Sequence, residues 1–254
     1  MSDEDLLGVA VDAARAAGAV LLERYEAGAR GVQTKSSATD LVSEADIEAE
    51  QVIRDLLAQR RPDDAIVGEE GDDHSGTTGL RWIVDPLDGT TNYLFGIPQW
   101  SVSVACEGNA AVVLDPVRDE LFAVAAGEPP TLDGVPLARP GDRDELATAL
   151  VATGFAYEAG VRAAQGRVVA RLLPQVRDIR RAGSAALDLA WTAAGRYDAY
   201  YEHGVKLWDV AAGRMLCAGA GLEVRDLPAG RGRPPGILAA PPALATELDA
   251  IVSG

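Results

Sequence analysis

With 254 residues, 48% of them hydrophobic, the chain is long enough for one large domain or two closely packed lobes. Its 39 acidic and 23 basic residues leave a formal charge of −16, which argues against a general nucleic-acid-binding role, since that role normally needs a basic face. No apolar run approaches the roughly 18 residues of a membrane span, and the acidic opening Met1-Ser-Asp-Glu-Asp5 is unlike a basic signal peptide, so a cytoplasmic protein without a membrane partner is expected.

Apolar residues at Leu6, Val9, Ala10, Ala13, Ala17, Val20 and Leu21 follow helical spacing, which predicts an amphipathic helix over Asp5–Tyr25 ended near Gly28. Lys35-Ser-Ser-Ala-Thr-Asp-Leu-Val42 leads to a second helix over Ser43–Arg60, with Ile47, Ile53, Leu56 and Leu57 as its apolar stripe and Pro62 beyond its end. Asp46 stands three positions after Ser43 and suits a helix-start capping partner or a carboxylate that orients water. Ala65–Val67 reads as a short strand running into Gly68-Glu69-Glu70-Gly71, and Asp72–Gly79 as a polar loop in which His74 is solvated.

Arg81–Val84 is short, apolar and β-branched, the mark of a buried strand, and Asp85-Pro86 is expected to break it. Asp88-Gly89-Thr90-Thr91 then supplies a turn and a helix start. Two carboxylates at a strand end can hold hard cations, and backbone N–H groups at a helix start can hold an anion. A solvated Asp-Pro and Asp-Gly turn is the plainer alternative. The acidity sharpens the question, because clustered carboxylates repel a phosphate unless cations reverse the local charge.

Ser101–Cys106, Ala110–Leu114 and Glu120–Ala125 read as an antiparallel meander, and the Pro/Gly-rich stretch Gly127–Gly141 as the boundary between an N-terminal lobe (1–140) and a C-terminal lobe (141–254). The second half alternates: strand Ala149–Thr153, helix Val161–Leu173, extended Asp178–Arg181, helix Ser184–Ala194, strand Tyr197–Glu202, helix Trp208–Ala220, strands Leu222–Asp226 and Gly236–Ala240, helix Ala243–Val252. Such alternation predicts helices layered on a mainly β interior. Arg231 and Arg233 sit in a Pro/Gly loop and read as solvated. Cys106 and Cys217 lack metal or redox spacing and read as buried thiols. Asp209, in the first turn of its helix, suits the dipole or a metal; Glu202 could face solvent or a polyol hydroxyl.

Taken in order, Lys35-Ser-Ser, Asp40-Leu-Val-Ser-Glu-Ala-Asp46, Gly68-Glu-Glu70, Asp85-Pro-Leu-Asp-Gly-Thr90, Gly183-Ser-Ala-Ala186, Asp198-Ala-Tyr-Tyr-Glu202 and Trp208-Asp-Val-Ala-Ala-Gly213 resemble the inositol monophosphatase family of magnesium-dependent, lithium-sensitive phosphatases, from about residue 5 to the end. The resemblance implies an α/β (α+β) fold, a layered αβαβα sandwich, and hydrolysis of a phosphate monoester by direct attack of a metal-activated water. It implies that Glu69, Asp85 and the carbonyl of Leu87 hold one Mg²⁺, that Asp85, Asp88 and Asp209 hold a second, and that a weaker third lies near Glu69. Thr90 and Asp46 would orient and deprotonate the water, with Glu69 serving the same catalytic centre. Gly89 and Thr90 would bind phosphate oxygens, and Asp88, Gly183, Ser184, Ala185, Glu202 and Asp209 would complete the substrate contacts.

Inositol monophosphate is the implied substrate, with histidinol phosphate, fructose bisphosphate, NADP or phosphoadenosine phosphate as alternatives on the same chemistry, and a catalytically silent metal- and phosphate-binding regulator as the non-enzyme reading. A homodimer is implied. The family's Gly-rich segment ending Asn-Gly is shortened at Gly127–Leu137, where Asp133-Gly134 stands instead, which predicts a trimmed loop or strand with the metals unaffected.

Overall fold

A computed structural model describes residues 5–28, 32–34, 41–138 and 145–254, the segments 32–34 and 41–43 as backbone only. The acidic opening before Asp5, Lys35-Ser-Ser and Asp40 lie outside the described residues.

Helix α1 (Leu6–Ala27) starts where Asp5 accepts the Leu7 N–H at 3.1 Å and stops at Gly28, which is left-handed at φ 69°. Its inward face is built of small residues, and Gly18 lies against Leu114 and Pro116, so the helix axis comes close to the sheet below. Strands β1 (Val32–Thr34) and β2 (Leu41–Ser43) form an antiparallel pair leading to α2 (Glu44–Arg60). The stripe expected on α2 is corrected in one position: Ile47 is 51% exposed, whereas Asp46 and Glu50 are buried beside Ala45, Ala49, Ile53 and Leu57. The inward face turns polar where it meets loops that need acceptors.

Below these helices lies a sheet whose spatial order follows the chain: β3 (Ala65–Gly68), β4 (Arg81–Asp88), β5 (Ser101–Cys106), β6 (Ala110–Asp115), β7 (Glu120–Ala125), β8 (Thr131–Leu132) and β9 (Val135–Pro136). Only β3 and β4 are parallel in it. Asp85-Pro86 does not end β4, contrary to expectation. The strand continues to Asp88 over a bulge in which Pro86 and Leu87 face the single residue Val102, which accommodates a proline that has no N–H for the ladder. The shortened segment forms the small β8–β9 hairpin, its turn made by Asp133 and Gly134 at φ 51° and 76°, the backbone an Asp-Gly hairpin loop requires.

Helix α3 (Thr90–Phe95) follows β4 and is pinned by Tyr93, whose hydroxyl donates to the Leu21 carbonyl and whose ring packs with Tyr25 and Trp100 at 5.2–5.4 Å. The second half adds β10 (Leu150–Thr153), α4 (Ala159–Leu172), β11 (Asp178–Arg180), α5 (Ala185–Ala193), β12 (Ala199–His203), α6 (Leu207–Gly219), β13 (Glu223–Leu227), β14 (Gly236–Ala240) and α7 (Pro242–Ser253). Its strands form a mixed sheet in the order β11-β10-β12-β14-β13.

Three apolar clusters make the layering visible. One joins α1 and α2 to the first sheet. The second joins that sheet's other face, through Val113 and Phe122, to α5, α6 and the residues Tyr200 and Ala239 of the second sheet. The third packs Tyr201 and Leu238 on the far face against α4 and α7. The result is the expected αβαβα sandwich, because each sheet must cover both faces.

Cys106 and Cys217 are free and buried, and burial pushes their thiols up to about 11 and about 12. Arg233, expected in solvent, is 6% exposed and donates to the carbonyls of Val252 and Ser253, supplying donors that the end of α7 lacks. No helix among the described residues is long and apolar enough to cross a membrane.

Candidate active site

β3 and β4 run parallel with Gly68 opposite Val84, so the next residues, Glu69 and Asp85, emerge side by side. Asp85 and Asp88 are three apart and would lie on opposite faces of an ideal strand; the bulge between them removes that alternation. Helix α6 enters from the other half with Asp209 in its first turn, where its carboxylate accepts the Lys206 N–H at 2.6 Å. Asp209 therefore does cap its helix, and it also lines a cavity shared with the other acids.

This cavity measures about 890 Å³. Of the residues expected from the sequence, Glu69, Asp85, Leu87, Asp88, Gly89, Thr90, Gly183, Ala185, Glu202 and Asp209 all line it. Two stand behind its wall. Asp46, 1% exposed, accepts a hydrogen bond from Thr90 Oγ1 at 3.0 Å. Ser184, placed by expectation among the substrate contacts, is fully buried; its hydroxyl donates to Asp88 Oδ2 at 2.7 Å, and the Ala186 N–H donates to the same oxygen at 2.6 Å. The start of α5 thus grips the carboxylate at the end of β4.

Close approach at this junction explains two glycines. Gly89 and Gly183 both adopt φ 103°, and a Cβ on Gly89 would lie 3.0 Å from the Gln99 carbonyl and 3.2 Å from that of Gly183. Asn92 ties the same parts together, its amide donating to the carbonyls of Gln99 at 2.7 Å and Ala182 at 2.8 Å.

The electrostatics are those of crowded acids. Burial pushes Asp85 well above the usual carboxylate range, and the charges of Glu69, Asp88 and Asp209 push it further. Burial also raises Asp88 to about 6, against the hydrogen bonds from Ser184 and Ala186. Asp209 is raised by burial and then by Asp88, and Glu202 is raised to about 7, chiefly by burial. The Asp85 and Glu69 carboxyls lie within hydrogen-bonding reach of each other. Two acids in that position need a shared proton or a shared cation between them.

The donor set is therefore hard oxygen, suited to a small divalent cation. No group of three or more His, Cys, Asp or Glu side chains among the described residues closes into an ion cage.

Sequence reasoning missed Glu50. It is 2% exposed, accepts the N–H groups of Glu70 at 2.8 Å and Gly71 at 2.7 Å, and pairs with Arg54 Nε at 2.7 Å. Gly68 and Gly71 leave the room for it, since a Cβ on either would meet its carboxylate. Glu50 thus shapes the turn that presents Glu69. The signal was available: Asp46 and Glu50 are four apart and share the buried face of a helix with Ile53 and Leu57.

A model of the inositol monophosphatase family matches residues 2–251. The inositol-1-monophosphatase SuhB of Mycobacterium tuberculosis is 41% identical over 240 residues, covering 89% of this chain and 83% of that protein. The Nus factor SuhB of Escherichia coli is 39% identical over 231 residues, covering 89% and 86%. Among solved structures, the extragenic suppressor protein suhB of Bartonella henselae superposes with a TM-score of 0.89 at 34% identity, covering 97% of this chain and 98% of that one.

Proposed function

Because the chain belongs to the inositol monophosphatase family, we propose that it is a Mg²⁺-dependent phosphomonoesterase acting on inositol monophosphate or a similar polyol phosphate. The observation that carries the reading is the convergence of Glu69, Asp85, Asp88 and Asp209 on one acid-lined cavity. Left alone, four such carboxylates repel an anion; with cations the cavity becomes a receptor for an anionic ester.

In this reading Glu69, Asp85 and the Leu87 carbonyl would hold one Mg²⁺ and Asp85, Asp88 and Asp209 a second, with a weaker third near Glu69. Bound there, the ions would lower the pKa of water and neutralise charge developing on the phosphoryl and leaving oxygens. The rest of the work belongs to the chain. Ser184 and the Ala186 N–H fix the orientation of Asp88. The Thr90 hydroxyl proton is directed at Asp46 Oδ1 at 3.0 Å and the Leu87 carbonyl at 3.1 Å, so its lone pairs are left to accept from an attacking water. Asp46 is the final proton acceptor through Thr90. Gly89 and Thr90 receive the phosphate through their N–H groups, and Gly183 and Ala185 complete that wall.

Glu202, on β12, accepts from ring hydroxyls of the alcohol. Under this reading the segment 1–140 brings most of the metal ligands, and 141–254 brings Asp209 and the alcohol side. The remaining parts of the proposal are lithium sensitivity, a homodimer and a cytoplasmic location.

The name of the E. coli relative, a Nus factor, favours a second reading in which the chain serves as a regulatory binding protein. One experiment separates them: phosphate release from a panel of inositol, histidinol, fructose, nucleotide and aryl phosphates, with Mg²⁺, with chelator and with added Li⁺. Release that needs Mg²⁺ and favours the inositol ester supports the phosphatase. Full release in chelator counts against the mechanism, and absence of release from every ester favours the silent regulator.

A further inference from the structure

Glu202 does not stand freely at the cavity wall. β10 and β12 are parallel neighbours, with Thr153 opposite Tyr201, and the next step of that register sets Gly154 opposite Glu202. A methyl group built on Gly154 would overlap both carboxylate oxygens and Cδ of Glu202. The carboxylate therefore lies across the bare α-carbon of its neighbour. From its own strand, Tyr200, two residues earlier and on the same face, donates its hydroxyl to Glu202 Oε2 at 2.8 Å. Gly154 is not in the left-handed region, so conformational freedom does not account for a glycine here. The contact also differs from that at Gly236, where an added Cβ would strike the backbone of Glu202 and His203. At Gly154 it would strike only the far end of a flexible side chain.

We propose that Gly154 is a specificity-determining position: by carrying no side chain it seats the Glu202 carboxylate, held from the other side by the Tyr200 hydroxyl, where it reads a hydroxyl of the substrate's alcohol. This rests on the reading of the cavity as a polyol phosphate site. Gly154 acts through Glu202 and is a positioning residue. Its substitution by alanine leaves the strand intact and moves only the acid, which separates seat from scaffold.

The test is a double-mutant cycle. Phosphate release from myo-inositol 1-phosphate and from an aryl phosphate without ring hydroxyls is measured for the wild type, G154A, E202A and G154A/E202A. The ratio of kcat/KM for the two esters falls about tenfold in G154A, the order of one misplaced hydrogen bond to a charged group. The fall comes through KM, and G154A adds nothing to E202A. An undiminished ratio in G154A, or effects of G154A and E202A that add, overturns the role of Gly154. If E202A itself leaves the ratio at the wild-type value, the polyol reading fails instead. A crystal structure of G154A then decides the seat by itself: a displaced Glu202 carboxylate on an unmoved β10 upholds it, and an unmoved carboxylate overturns it.

Discussion

Thr90 Oγ1 donates to Asp46 Oδ1 across 3.0 Å, joining the first turn of α3 to the first turn of α2 although 44 residues separate them. The bond is buried on both sides, and Thr90 is the partner that reaches the cavity. If the pair relays a proton, Asp46→Asn lowers kcat by about 100-fold, the usual worth of a general base, and changes Mg²⁺ affinity far less. Steady-state kinetics and a Mg²⁺ titration check this. An unchanged kcat returns Asp46 to a structural part at the start of α2.

Asp85 opposes folding when no cation is present, because burial and its acidic neighbours raise its pKa. A raised folded pKa means stability that is present below the unfolded value and lost as pH rises through the folded one. Asp85→Asn removes that loss and can still accept the Leu87 N–H, which now bonds Asp85 Oδ1 at 3.0 Å. Calorimetry in chelator at pH 8 is expected to show the variant melting a few degrees higher, a gain of about 1–3 kcal/mol. The same variant loses most phosphatase activity and most of the stabilisation that Mg²⁺ gives the wild type. A lower melting temperature in chelator contradicts the electrostatic account.

Glu50 accepts three N–H donors with two oxygens. Glu50→Gln keeps the shape but turns an amide toward donors, which disturbs the turn presenting Glu69. Loss of such supporting contacts typically costs about 10–100-fold in metal affinity. Titration calorimetry with Mg²⁺ reads this without any substrate, and an unaltered affinity removes Glu50 from the site.

Asp64 provides a contrast far from the chemistry. Burial alone would raise it, but hydrogen bonds from Arg61, Thr78 and Trp82 outweigh that and hold it below the usual aspartate range. The contacts are 2.7 Å to Arg61 Nε, 2.6 Å to Thr78 Oγ1 and 2.9 Å to Trp82 Nε1. The folded pKa is depressed, so the stabilisation is complete above the ordinary aspartate pKa and fades as pH falls through the lower folded value. Asp64→Asn costs about 2–4 kcal/mol at neutral pH by leaving buried donors and a guanidinium unpaired. The gap in melting temperature between variant and wild type narrows in acid, and a gap that does not depend on pH contradicts the assignment.

Much of the layering was legible because each buried face leaves a period in the chain. The Ala-rich stripe of α1, the short apolar runs of the meander and the glycine that ends α1 all announce themselves locally. The acids were legible for another reason: Gly-Glu-Glu, Asp-Pro-Leu-Asp-Gly-Thr and Trp-Asp stand at the ends of strands and starts of helices, where side chains reach a crevice. Ile47 and Arg233 were misread because exposure at one position depends on partners contributed from elsewhere. Glu50 was missed since a buried acid on an amphipathic helix looks like a solvated one until its acceptor role is seen.

What the chain determined by itself is the set of elements and the hard-oxygen character of the donors, since periodicity, caps and oxygen donors are properties of short segments. Only the tertiary structure decided how those donors meet. A bulge at Pro86 brings Asp85 and Asp88 into one cavity, parallel pairing of β3 and β4 sets Glu69 beside Asp85, and a bare α-carbon at Gly154 makes room for Glu202. Register and close approach are relations between strands, and a residue's type carries no record of what will lie across from it.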